Sequence, residues 1–557
     1  MGNGYKVLVP GKRDIIQMKK QNSPNICSLV TMLVLLTSIP ATLKAVSPAK
    51  GGDADVVPKL IVGITVDQLR SDYLSALKDR LGENGLKKLL NEGRVYSQVT
   101  FSLDNPDAIA TIAVLATGAN PFYNGVPSRL IWDSHLERRK SVFHDRNYNG
   151  LYTAESLSPK AMSSTVLADE LKVASAGASR VFSIAIDAEA AIINGGYTSN
   201  CAIWIDSRTG KWASSSYYKE FPGYIAEQNV YSQALYTDLT LSAWTPAEEN
   251  RGRSVIMPYH YRTDGFSHSF YEGERISYTA FKTSPMANDA ILGLTRRFFR
   301  DGYLGKNDSY TDMLQLTFYA GTYLKERPEL YAEELQDTYL RLDKTIASLL
   351  SLIDKEVGLD NTYIYIVSNG QTLSKTTDTE GTLRGQFDSK RCQALLNSHL
   401  VARYGQEQWV KGMDNNQIYL NRDAIRSHRI AQREIEKDAA EFLMLMDGID
   451  DAVTSCQILN EDNSARVARI RNGYHKATGG NLIFSLQPGW VLNTDDGSQS
   501  QSQIRHDIAP GIAILFAPGV EATTISAPVD ATQIAPTIAG HIRIRAPSAC
   551  CAAALVQ

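Results

Sequence analysis

Residues 60–67 read Leu60-Ile61-Val62-Gly63-Ile64-Thr65-Val66-Asp67, an apolar, largely β-branched run closed by an acid. A continuous run of this kind, rather than an alternating one, fits a strand buried on both faces. Working outward, the same pattern recurs. Strands are expected over 181–186, 312–318, 363–368 and 511–516, and helices over 73–91, 335–357 and 531–540. Strands alternating with helices predict an α/β fold with a mostly parallel central sheet flanked by helices. In such sheets the functional site lies beyond the carboxyl ends of the strands, so Asp67 falls where a site is expected.

Two stretches read as insertions over the sheet, about 201–301 and 381–473. The first is rich in aromatic and turn residues. The second carries its own helix, expected over 424–446, and a strand over 417–420, and reads as a cap subdomain. The domain proper is expected over 59–557, after a polar linker at 46–58. Before it, Lys19 and Lys20 precede an apolar run over 26–39, with small residues ending near Ala45. This is the pattern of a signal peptide over 1–45, with Met18 as an alternative start, and it implies export to the periplasm. The alternative is an uncleaved membrane anchor giving weak membrane association, for which the run is short.

A net charge of −3 with no long basic run argues against a nucleic-acid partner. Cys201, Cys392, Cys456, Cys550 and Cys551 are scattered and lack the paired spacing of a zinc knuckle. The nine histidines are dispersed; His144 and His475 read as surface or structural residues.

The segment 59–73, Lys-Leu-Ile-Val-Gly-Ile-Thr-Val-Asp-Gln-Leu-Arg-Ser-Asp-Tyr, resembles the opening of the type I phosphodiesterase/nucleotide pyrophosphatase group of the alkaline phosphatase superfamily, most of all its PafA-type alkaline phosphatases. The likeness continues through Ala116-Thr117-Gly118, Asn124-Gly125-Val126, Ala202-Ile203-Trp204-Ile205-Asp206, Ser284-Pro285-Met286-Ala287-Asn288, the run 337–343, Arg471-Asn472-Gly473-Tyr474 and Ala546-Pro547-Ser548. It covers nearly the whole chain after the leader. It implies an alkaline-phosphatase-like sandwich in which Asp and His side chains hold two zinc ions, and the zinc activates a Thr or Ser nucleophile at a helix N-terminus.

Placed on that pattern, most requirements are unmet. The first ligand is present as Asp67. The nucleophile position falls on Ala108, or on Ile109 if Pro106 is the matching proline, and neither has a hydroxyl. The other ligand positions fall on Thr322, Glu326, Asn369 and Gly370, with the last near Ser502; His506 stands nearby in the wrong register. The phosphate-binding positions fall on Arg129, a different donor, and on Asp187 and Glu189, two acids that would repel a phosphate dianion. Thr111 lies about one turn into the helix and is expected to point away from the site mouth.

These losses together predict a pseudoenzyme: no catalytic residue, no bound zinc or other cofactor, and action through an unknown protein or small ligand of the cell envelope. The alternative is a metal-dependent phosphatase or phosphodiesterase with a site rebuilt from Asp67, Glu326 and His506.

Overall fold

The computed structural model describes residues 57–555, apart from 231–242, 248–254, 258–264, 274, 303, 326–329, 373–384, 461–463 and 494–507. The leader, the linker up to residue 56, Glu326, Ser502 and His506 therefore lie outside the described residues.

A twisted sheet of eleven strands runs through the molecule. Its centre is parallel. Strand Leu60–Asp67 lies between Asp312–Tyr319 and Thr362–Ser368, and Val181–Ala185 and Cys201–Ile205 continue the parallel set. The strand Gly511–Phe516 then pairs antiparallel to Thr362–Ser368, and Arg94–Thr100 antiparallel to it in turn. The expected α/β class with a mostly parallel sheet is the observed one. The first strand is buried along nearly its whole length, as its unbroken apolar run requires.

Gly63 sits at the middle of that strand for a steric reason. A β-carbon there would collide with the Gln315 side-chain oxygen and the Tyr365 hydroxyl. The Tyr365 hydroxyl donates to that oxygen at 3.0 Å and lies 2.6 Å from the Gln315 amide nitrogen, across the glycine. Gly63→Ala is therefore expected to destabilise the fold by about 2 kcal/mol, the usual cost of overpacking a core, read as a lower denaturation midpoint in urea with an unchanged slope.

Helices on both faces tie the strand ends in place. Asn288, in helix Pro285–Arg300, exchanges two hydrogen bonds with the backbone of Tyr319, at 2.8 and 2.9 Å. Tyr339, in the long helix Ala332–Glu356, accepts from the Arg70 backbone N–H at 2.8 Å. Both ties end within three residues of Asp67 or its neighbour across the ladder, Tyr319.

Several expected boundaries differ. The helix expected over 73–91 is broken into Ser71–Ala76, a 3-10 turn Lys78–Arg80 and Leu86–Glu92. The break is held by Asp343 of the long helix, whose carboxylate accepts from the N–H groups of Gly82 and Leu86 at 2.8 and 2.7 Å. It caps the second helix from outside the segment. The stretch 201–301 is not a single insertion. Cys201–Ile205 and Trp212–Ser215 extend the central sheet, and Pro285–Arg300 packs on it. The cap runs further than 473. Its four-stranded sheet places Leu482–Leu486 between Gln417–Leu420 and Ile449–Thr454, and Trp490–Asn493 pairs with Gly385–Asp388. The cap has its own core around Trp409, Leu396, Ile435 and Phe484. The helix expected over 424–446 is two helices, Arg422–Ser427 and Gln432–Leu443, with Arg429 between them at a φ of 56°.

Candidate active site

Strand-end geometry brings Asp67, Tyr319 and Asn369 to one edge of the sheet. Asp67 pairs in register with Tyr319, and Val66 with Ser368, the residue before Asn369. Gln68 turns the chain away at a φ of 65°. The Asn369 amide uses both of its ends here. Its oxygen accepts from the Gln68 backbone N–H at 2.7 Å, and its nitrogen donates to Asp67 Oδ1 at 2.7 Å, with Thr111 Oγ1 at 3.2 Å. Burial pushes the Asp67 carboxyl above its usual range, partly offset by Asn369 and by the charges of Lys325 and Arg129.

The helix Ala108–Thr117 points its N-terminus toward this edge, and its cap is already filled. Asp107 accepts from the Ile109 N–H at 2.8 Å, and from the Arg129 N–H at 3.1 Å. A helix N-terminus favours an anion through its free N–H groups and dipole. Here the chain supplies that anion itself. Ala108 offers no hydroxyl. Thr111 is buried, donates to the Ala108 carbonyl at 2.8 Å, and meets Asn369 rather than the open cleft.

The positions expected to repel phosphate form a closed ion-pair cluster instead. The Arg129 guanidinium forks between Asp187 and Glu189, each at 2.8 Å. Lys282 reaches Asp187 at 3.2 Å and Ser207 at 2.8 Å. Burial opposes ionisation of Asp187, yet Arg129, Lys282 and Lys325 outweigh it and hold that carboxyl well below the usual carboxylate range. Burial dominates at Glu189 and raises it, with Arg129 only partly compensating. Two acids thus ionise unequally around one guanidinium.

Of the remaining expected positions, Thr322 is buried and takes the Tyr319 hydroxyl on its carbonyl at 2.7 Å. Gly370 adopts a φ of 62°, and a β-carbon there would collide with the Ala509 carbonyl. The backbone has closed over a position that a histidine ligand would need. His475 bonds locally to Thr478, and Asp145 beside His144 accepts from Ser158, both structural roles.

A cavity of about 230 Å³ opens between these groups. Asp67, Arg129, Asp187, Lys282 and Lys325 line it, over an apolar floor that includes Ile109, Ile112 and Phe318. Lys282, Lys325 and Asp107 were not anticipated from the sequence. None of the three carried a spacing signal.

The described residues of the site do not form a donor set that fits zinc. Among the described residues no three His, Cys, Asp or Glu side chains converge as a metal-binding group. The inward oxygen of Asp67 faces an amide N–H, a hydrogen-bond donor standing where a ligated ion needs a further electron pair. Arg129, Lys282 and Lys325 supply the positive charge nearby.

The family profile described as type I phosphodiesterase / nucleotide pyrophosphatase matches residues 61–509. A protein of Myroides odoratus named a calcium-transporting ATPase is 28% identical over 520 residues, covering 88% of this chain and 93% of that one. Alkaline phosphatase PhoV of Synechococcus elongatus is 26% identical over 525 residues, with 88% and 91% covered. Alkaline phosphatase PafA of Elizabethkingia meningoseptica is 24% identical over 512 residues, with 88% and 92% covered. The crystal structure of wild-type alkaline phosphatase PafA superposes with a TM-score of 0.75 at 21% identity, covering 90% of this chain and 99% of that one. That family consists of phosphoric ester hydrolases, and this chain belongs to it, the type I phosphodiesterase / nucleotide pyrophosphatase family.

Proposed function

We propose that this chain is an exported, non-catalytic member of its family that acts in the periplasm by binding a ligand or partner through the old cleft. The observation that carries this reading is the Asn369–Asp67 hydrogen bond. An amide has taken the bridging place beside the retained acid, so the carboxylate is satisfied without a metal. Three further features support it. Ala108 has no hydroxyl, Asp107 occupies the helix N-terminus, and Asp187 with Glu189 consumes the guanidinium of Arg129. A phosphoryl group entering here meets two acids at the position where a clamp is needed. Export rests on the basic and apolar pattern of residues 1–45. Among the described residues no helix is long and apolar enough to cross a membrane.

The rival reading, a metal-dependent hydrolase rebuilt from Asp67, Glu326 and His506, draws its support from relatives named alkaline phosphatases. Turnover separates the two. The purified mature protein, incubated with zinc and with p-nitrophenyl phosphate or bis-p-nitrophenyl phosphate, is expected to release no nitrophenolate above the buffer blank. Turnover that disappears in Asp67→Ala supports the rebuilt site and overturns the non-catalytic reading.

A further inference from the structure

Three cations, Arg129, Lys282 and Lys325, and two acids, Asp67 and Asp187, line the cavity, and Glu189 pairs with Arg129. Arg129 is spent on Asp187 and Glu189, and Lys282 on Asp187 and Ser207. Asp67 is bonded by Asn369. The Lys325 side chain lines the same cavity, makes no hydrogen bond or ion pair with the described residues, and acts on Asp67 and Asp187 only through its charge. Its backbone is unusual. Leu324 and Lys325 are consecutive non-glycine residues at φ of 54° and 58°, a conformation that costs energy and persists only where surroundings impose it. The Leu324 N–H is tied to Thr283 Oγ1 at 3.0 Å, and the Lys325 N–H to the Thr322 carbonyl at 3.1 Å. Thr283 also lines the cavity. The strained turn thus presents an ammonium with unfilled hydrogen-bonding capacity to a space also lined by Ile109, Ile112 and Phe318.

We infer that the cleft binds a small amphipathic organic monoanion, a carboxylate on an apolar body, with the carboxylate on Lys325 and the body against Ile109, Ile112 and Phe318. This rests on the non-catalytic reading above and names its ligand class. Size sets one bound: about 230 Å³ accommodates on the order of ten non-hydrogen atoms. Charge sets the other. One ammonium with no hydrogen-bond acceptor among the described residues can take one carboxylate, whereas a phosphate dianion would bring a second charge toward Asp67 and Asp187. An amine would meet Lys282 and Lys325 instead of a free carboxylate. The apolar floor supplies affinity through burial, and the ammonium supplies orientation through a charge-assisted bond.

The test titrates the full-length mature protein with benzoate by calorimetry, and with phenyl phosphate and benzylamine in parallel. Saturable benzoate binding is expected. It should weaken about tenfold or more in Lys325→Glu, the loss of one charge-assisted bond, and persist in Lys325→Arg. Lys325 is exposed, so Lys325→Arg should keep the wild-type unfolding midpoint, and Lys325→Glu is titrated at a temperature below its own measured midpoint, since it adds an acid near Asp67 and Asp187. Benzoate binding that Lys325→Glu leaves unchanged overturns the inference, as does phenyl phosphate or benzylamine binding as tightly as benzoate. Absence of benzoate binding overturns it alone and leaves the non-catalytic reading standing. Release of phenol from phenyl phosphate overturns the non-catalytic reading itself, and this inference with it.

Discussion

Arg129→Met is expected to cost about 2–3 kcal/mol of folding stability, the effect of removing one partner from a partly buried charge cluster. The guanidinium is the common partner of Asp187 and Glu189, and it is what keeps Asp187 ionised against burial. Without it Lys282 remains on Asp187 alone, and Glu189 is stranded. The sign with pH follows from the direction of each shift. The folded Asp187 carboxyl is depressed, so its contribution is full above the ordinary aspartate pKa of about 4 and is lost only as pH falls toward the much lower folded value. The deficit of Arg129→Met relative to wild type is therefore largest at neutral pH and shrinks in acid. Urea denaturation at pH 7 and at about pH 2.5, below the ordinary aspartate pKa, reads both arms. A triple variant, Arg129→Met with Asp187→Asn and Glu189→Gln, is expected to recover much of the loss, because the charges that needed compensation are gone. Equal instability of the single and triple variants would place the cost in packing rather than charge.

The second large effect is expected at Asn369. Asn369→Asp keeps the shape and removes the donor, so a carboxylate faces Asp67 across the 2.7 Å contact. Two carboxylates at that separation cannot both ionise, and the loss is expected to be about 3 kcal/mol at pH 7. Protonating one of the pair restores a donor. The shared pKa lies above the unfolded value, so the variant regains stability as pH falls and loses it as pH rises through that shared pKa. Wild-type Asp67, also raised, behaves in the same direction with a smaller swing. A stability deficit independent of pH would mean that the amide serves only as a spacer.

The two variants also separate a metal-held cleft from one held by hydrogen bonds and ion pairs. In a metal-held cleft an aspartate at 369 adds a ligand, and zinc should rescue the variant. Here Gly370 has no room for a side chain beneath the Ala509 carbonyl, and Thr322 is turned into the core. Zinc is expected to leave Asn369→Asp unimproved.

The central strands were legible because burial on both faces leaves a sequence mark: 60–66 and 363–367 are almost unbroken apolar or β-branched runs, and 312–319 is mostly apolar around Gln315 and Thr317. What escaped was set by distant partners. The break after Ala76 depends on Asp343, more than 250 residues away, whose carboxylate caps Leu86. The end of the cap depends on Leu482–Leu486 entering between two earlier strands, which no local pattern announces. At the site, absences were legible and replacements were not. Ala108 and Asn369 could be read as losses of a hydroxyl and a ligand. That Asn369 would bond to both Asp67 and Gln68, that Asp107 would fill the helix N-terminus, and that Arg129 would neutralise Asp187 and Glu189 are tertiary facts. The reading of Asp187 and Glu189 as a repulsive pair left out their cationic partners, because Lys282 arrives from the Tyr278–Lys282 helix.

Metal content is the most direct measurement. The mature protein, dialysed against zinc and then against metal-free buffer, is analysed for bound elements per chain. Amide, guanidinium and ammonium groups holding Asp67 and Asp187 without an ion imply no stoichiometric zinc, and the same unfolding midpoint with and without chelator. Two zinc ions per chain, with a midpoint that falls when they are removed, would contradict this.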